Sequence, residues 1–233
     1  MTAKLHIKDR DVVVPGEVLA TGLEYLPSKG TYRKDDEIRA NRIGLVQIDG
    51  KVIKTISLAG RYLPKKGDTI VGRISDVLMS GWRVDLRTMT DAILGLKEAT
   101  NEYIKRGEDL TRYFAIDDWV SAKVVQVTSQ NLVDVSVRGP GLQKLEGGTI
   151  INVDSQKVPR IIGARGSMVR MLKKGCNCDI VVGQNGVIWI KGAPANEVLA
   201  IEAIRLIEKN SHLPGLTEQI KNLIEELTGE DLE

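Results

Sequence analysis

Ile161-Ile162-Gly163-Ala164-Arg165-Gly166-Ser167-Met168-Val169 joins two apolar helical turns through a pair of glycines three residues apart. Lacking Cβ atoms, Gly163 and Gly166 leave the backbone of Ala164 and Arg165 bare. A phosphodiester chain can then approach main-chain N–H groups at the start of the following helix, where the helix dipole favours anions. Between residues 157 and 174 stand Lys157, Arg160, Arg165, Arg170, Lys173 and Lys174, and no acidic residue interrupts them. The stretch reads as a clamp for a nucleic-acid backbone, set in an electrostatic footprint for phosphate.

Its flanks give the clamp a fold. Residues 148–154 (GGTIINVD) read as a strand, and a helix continues over 167–174. Strands over 178–182 and 187–190 follow, joined at Gln184-Asn185-Gly186 with Asn-Gly as the hairpin signal. A last helix begins near Pro194, a favoured first-turn residue, and carries Ala200, Ala203, Ile204 and Ile207 on one face. The order β-α-GxxG-α-β-β-α resembles a type I KH domain. That resemblance implies an α+β fold whose GxxG loop clamps the backbone of about four nucleotides. Ile162, Val169 and Ile180 are candidate apolar groove residues that would set base preference.

Net charge is only +2, but it is unevenly spread. Residues 1–65 carry 12 basic and 8 acidic groups, 66–140 carry 10 and 11, 141–217 carry 10 and 6, and 218–233 carry 1 and 6. A basic body with an acidic tail suits a nucleic-acid binder. No stretch approaches the roughly 20 apolar residues of a spanning helix, and the N-terminus MTAKLHIKDR lacks the apolar run of a signal peptide, so a cytoplasmic protein is expected. Cys176 and Cys178 are the only cysteines, and His6 and His212 are far away in sequence, so no zinc site or other metal centre is expected. The two cysteines read as small apolar residues at a helix-to-strand turn. No cofactor is indicated.

Residues 1–65 read as a small β-rich domain. Val12-Val13-Val14 and Val18-Leu19-Ala20 flank Pro15-Gly16, and residues 38–48 are expected to pair with 52–58 across Asp49-Gly50. Between them, residues 22–36 read as a long loop holding Tyr25, Tyr32, Arg33 and Lys34, either a solvated loop or a protein interface. Residues 64–68 mark a boundary. The next domain, 66–140, shows strands over 69–77, 81–86, 92–94, 119–127 and 132–137, with a long excursion before the fourth. Val133, Val135 and Val137 alternate with Leu132, Asp134 and Ser136, the period of a strand with one buried face. Five such strands suggest an OB-fold barrel. Gly67-Asp68-Thr69-Ile70-Val71-Gly72-Arg73-Ile74 and Gly81-Trp82-Arg83-Val84-Asp85-Leu86 resemble the opening of an S1 RNA-binding domain. Arg83 stands where that family commonly has an aromatic, and Asp91-Ala92-Ile93-Leu94 lacks its usual histidine, which weakens base stacking. By alternation Trp82 faces the core with Val84, leaving Arg73, Arg83 and Arg87 as the candidate phosphate contacts. Residues 141–233 form the KH-like domain, packed against the S1-like one, and end in an amphipathic helix over 216–227 and an acidic tail.

The fold class is therefore multi-domain β plus α/β: a β-rich N-terminal domain, an S1-type OB-fold barrel and a type I KH domain. That order resembles the S1-and-KH cap subunit of the archaeal RNA-degrading exosome, the ribosomal-RNA-processing protein four type. The resemblance implies a non-catalytic role. Three caps would sit on a ring of RNase PH-like subunits, which cleave RNA with phosphate from the 3′ end, and the caps would guide single-stranded RNA to the pore. Residues 22–36 and 38–58 become candidate ring contacts. Two distant histidines and the absence of a locally spaced carboxylate cluster likewise argue against a built-in catalyst; Asp35-Asp36-Glu37 and Asp117-Asp118 read as exposed turns. An S1/KH transcription elongation factor normally carries two KH modules, for which the 93 residues after the S1-like domain leave too little chain. A polynucleotide-phosphorylase relative would place KH before S1, and the zinc-ribbon exosome cap would need cysteine pairs.

Overall fold

The computed structural model describes residues 4–58, 60–100, 102, 104–105, 107–211 and 215–228, so His212 and the acidic tail over 230–233 lie outside the described residues. The chain divides into two compact units, Met1–Arg61 and Tyr62–Glu233.

Among the described residues the first unit holds eight strands: β1 (Lys4–Leu5), β2 (Val12–Val13), β3 (Val18–Thr21), β4 (Leu26–Pro27), β5 (Thr31–Lys34), β6 (Glu37–Ala40), β7 (Gly44–Asp49) and β8 (Val52–Ser57). They form two sheets, ordered β1-β3-β6-β5 and β2-β7-β8-β4. Val13, Leu19, Ala20, Ile38, Ala40, Val46 and Ile53 make the core. Two expectations are corrected here. Residues 38–48 are not one strand: β6 pairs with β3 and β5, and only β7 continues into the hairpin with β8. The chain changes sheets over residues 41–43 because both sheets must bury an alternating face on the same small core. Nor is 22–36 a loop, since β4 and β5 lie within it. The β7–β8 turn pairs Asp49 with Val52, leaving Gly50 and Lys51 as its central residues, and Gly50 takes the left-handed φ of 60° that a type II′ turn demands first.

The second unit begins with a barrel: β9 (Thr69–Leu78), β10 (Gly81–Asp85), β11 (Ala92–Gly95), β12 (Trp119–Val127) and β13 (Val133–Ser136). The order β13-β11-β10-β9-β12, closed by β12–β13 and with β11–β13 parallel, is that of an OB fold. Trp82 is fully buried, donates from Nε1 to the Phe114 carbonyl at 2.9 Å and meets the Phe114 ring edge-on at 5.3 Å. The excursion after β11 supplies Phe114, Leu110 and Ala99, the last from the short helix α1 (Leu96–Ala99), to the barrel core.

After β14 (Lys144–Leu145) come β15 (Thr149–Asn152), α2 (Val158–Ile162), α3 (Ser167–Gly175), β16 (Asp179–Val182), β17 (Val187–Lys191), α4 (Pro194–Lys209) and α5 (Leu216–Thr228). The antiparallel sheet β15-β17-β16 lays one face on the helices, where Ile188, Ile190, Leu172 and Ile204 are buried. Leu216 and Ile220 bring α5 into the same core. The sheet's other face carries Val187 and Trp189 onto Val71 and Leu145 of the barrel side. The S1 and KH modules therefore share an apolar seam. No helix of the described residues is long and apolar enough to cross a membrane.

Candidate nucleic-acid interface

The clamp is assembled by two glycines with different jobs. Gly163 ends α2 with φ 73°, and a Cβ there would stand 2.7 Å from both the N and Cβ of Met168, so close approach of the next helix demands glycine. Gly166 has φ 78°, but a Cβ there would meet only Val169 Cγ1 at 3.8 Å. Its bare side faces open space, available to a ligand backbone. Between them Ala164 is exposed, and Arg165, also exposed, takes the left-handed region at φ 52°. Arg170, one turn into α3, folds back: its Nε donates to the Gly166 carbonyl at 3.3 Å and its Nη2 to the Arg165 carbonyl at 3.2 Å. Two oxygens that would repel phosphate are thereby engaged by a cation.

Arg160, Lys173 and Lys174 are exposed around this loop and Lys157 is half-buried at the start of α2. The seven carboxylate ion pairs found among the described residues involve none of Lys157, Arg160, Arg165, Arg170 or Lys173. Of the groove candidates, Ile162 and Val169 are half-buried at the surface, whereas Ile180 is 1% exposed. Ile180 points into the helix-covered core and cannot touch a base, because β16 alternates and its even positions face the helices.

The barrel's arginines are less available. Arg73 pairs with Asp117 at 3.1 Å and Arg83 with Asp76 at 3.7 Å, while the Arg87 backbone N–H is held by Asp85 at 2.7 Å. These exposed pairs are each worth at most about 1 kcal/mol and can exchange for phosphate, but carboxylates already face Arg73 and Arg83. Asp118 is not the exposed turn residue its neighbours suggested. It is half-buried, accepts from the Ala115 N–H at 2.7 Å and pairs with Lys144 at 2.6 Å.

In the first unit the four interface candidates separate. Tyr32 and Lys34 are exposed on β5. Arg33 points inward, donating to the carbonyls of Gly22 and Tyr25, and Tyr25 packs on the core. A feature missed in sequence lies on the β2-β7-β8-β4 sheet: Val12 pairs with Leu45 and Leu45 with Ile56, so three apolar side chains cross its outer face in a row. Val12 and Ile56 are 61% and 51% exposed, and Leu26 on β4 adds 56%.

Both cysteines are buried, and burial pushes the Cys176 thiol up to about 11, keeping it protonated and inert. Among the described residues no three His, Cys, Asp or Glu side chains are grouped to hold a metal ion.

Comparison with known proteins gives this assembly a family. Residues 12–49 match the family model described as the exosome complex exonuclease RRP4 N-terminal region, residues 61–126 the RRP4 S1 domain and residues 148–196 the KH domain. The exosome complex component Rrp4 of Methanothermus fervidus is 42% identical, with 94% of this chain and 97% of that one aligned. The chain belongs to the Rrp4 family. Rrp4 of Methanopyrus kandleri is also 42% identical over 97% of this chain and 98% of its own, and that of Pyrococcus furiosus 42% over 95% and 85%. A crystal structure assigned as an exosome complex RNA-binding protein superposes with TM-score 0.65 at 30% identity, covering 73% of this chain and 98% of that one. The Rrp4 family thus accounts for the order of modules, including the N-terminal one that sequence patterning left anonymous.

Proposed function

We propose that this chain is a non-catalytic RNA-binding cap of an archaeal exosome. In this reading the N-terminal unit docks on a ring of RNase PH-like subunits, three copies per ring, and the S1 and KH modules hold single-stranded RNA and deliver its 3′ end for phosphorolytic degradation or processing in the cytoplasm. The chain itself needs no cofactor. The observation that carries the proposal is the division of surfaces: an exposed glycine clamp among cations on one module, and an uncovered apolar sheet face on another. The apolar row Val12–Leu45–Ile56 supports docking on a protein, because such a face gains most from leaving water. Tyr32 and Lys34 supply further candidate contacts, whereas Tyr25 and Arg33 support the fold beneath them.

Affinity purification from the native organism with mass spectrometry tests the reading, comparing wild type with Ile56→Glu. Recovery of RNase PH-like subunits by wild type and their loss in the variant is the expected outcome. Recovery of RNA polymerase subunits by both, with no such ring proteins, would sink it.

A further inference from the structure

We infer that RNA held at the glycine clamp continues along α3 into a second phosphate-binding station, a pocket of about 660 Å³ between the end of α3 and the outer ends of β16 and β17. The inference rests on the RNA-binding reading above and extends it to residues that lie outside the GxxG loop. Arg170, Lys173, Lys174, Asn177, Asp179 and Lys191 line the pocket. Four are cationic and one is acidic, a net lining charge of +3.

Continuity comes from Arg170, whose guanidinium braces the clamp carbonyls while its side chain forms one wall of the pocket. Lys173 lies seven positions along α3 from Gly166, a distance of about 10 Å. A strand long enough to fill the clamp's roughly four nucleotides and run on therefore meets Lys173 next. Across the pocket Lys191 ends β17 opposite Asp179, its Cα partner on β16, and its stem lies over Gly147, within 3.9 Å of where a Cβ would stand. Neither Lys173 nor Lys191 has a carboxylate ion pair among the described residues. Asn177, held at φ 47° in the turn before β16, offers an exposed amide beside these charges. Lysines are point charges without bidentate geometry, so this station reads backbone and not sequence.

Binding of fluorescein-labelled oligoadenylates of 4 and 12 nucleotides to the full chain, over 50–200 mM salt, tests this. Lys191→Gln, at the one pocket cation outside the clamp's own footprint, is expected to weaken the 12-mer about 3–5-fold at the lowest salt and to leave the 4-mer unchanged. The slope of log K against log salt should fall by about 0.7, the contribution of the one single-strand phosphate that the variant no longer neutralises. Asp179→Asn, which removes the one acidic wall, should tighten the 12-mer, a gain that misfolding cannot produce. Equal weakening of both lengths, or no change in either, would overturn the second station while leaving the clamp intact. Indifference of both lengths to Gly166→Asp would remove the clamp reading itself, and the extension with it.

Discussion

Asn185 shows how one side chain can join two modules. Its Nδ2 donates to the Val71 carbonyl at 2.8 Å and the Leu86 carbonyl at 3.1 Å, and its Oδ1 accepts from the Val71 N–H at 3.3 Å. The residue is buried, so Asn185→Ala would strand three polar groups of the barrel away from water. We expect a loss of about 2–4 kcal/mol, since each buried unsatisfied group costs about 1–3 kcal/mol and the gap partly relaxes. Urea unfolding should show a lower midpoint with an unchanged slope, and the native fluorescence of interfacial Trp189 should shift red. An unchanged midpoint would mean that the apolar seam alone holds the modules together. Asn185-Gly186 was legible in the sequence as a turn, and Gly186 does take φ 84° there. The amide's partners, 114 and 99 positions away in the chain, were not, because local patterning carries no record of what a turn packs against. Arg33 was misleading for the same reason: an exposed-looking cation can be donating inward to carbonyls of its own module.

Elements with their own periodicity were the most legible. The β9–β13 strands and the KH helices came through alternation and capping signals, whereas β4 and β5, two and four residues long, were hidden in a stretch of Gly, Tyr and Lys. Sheet exchange between β6 and β7 was invisible because period-2 alternation looks the same whichever sheet receives it. The KH sheet also shows how an element is fastened at its edge. Glu197, in the first turn of α4, accepts from the Thr149 hydroxyl at 2.7 Å and the Gly192 N–H at 3.0 Å, tying α4 to β15 and to the end of β17. Those bonds favour the carboxylate and hold its pKa below the ordinary 4.5. A lowered folded pKa stabilises above the unfolded value, and that contribution disappears as pH falls through the folded one. The difference in thermal midpoint between wild type and Glu197→Gln should therefore be constant above about pH 5.5 and shrink steadily below the unfolded value of about 4.5. A difference that persists undiminished at pH 3 would assign it to side-chain shape and not to charge.

For the whole molecule, the distribution of charge and apolar surface decides what kind of helper it is. The KH module offers exposed cations and a bare backbone, the barrel offers arginines already facing carboxylates, and the first unit offers an uncovered apolar sheet. In the proposed cap role, several weak contacts raise the local concentration of an RNA end near the site that cuts it. Such a device lowers the concentration of RNA needed and leaves the chemical step alone. In phosphorolysis by a ring reconstituted with this chain, Gly166→Asp should therefore raise KM about 5–10-fold and leave kcat within about twofold, the signature of weakened uniform binding. Raising salt from 50 to 200 mM should raise the wild-type KM towards that of the variant, because phosphate contacts weaken steeply with salt. A fall in kcat at unchanged KM would contradict the holding mechanism, since it would place the clamp in the chemical step of the reaction.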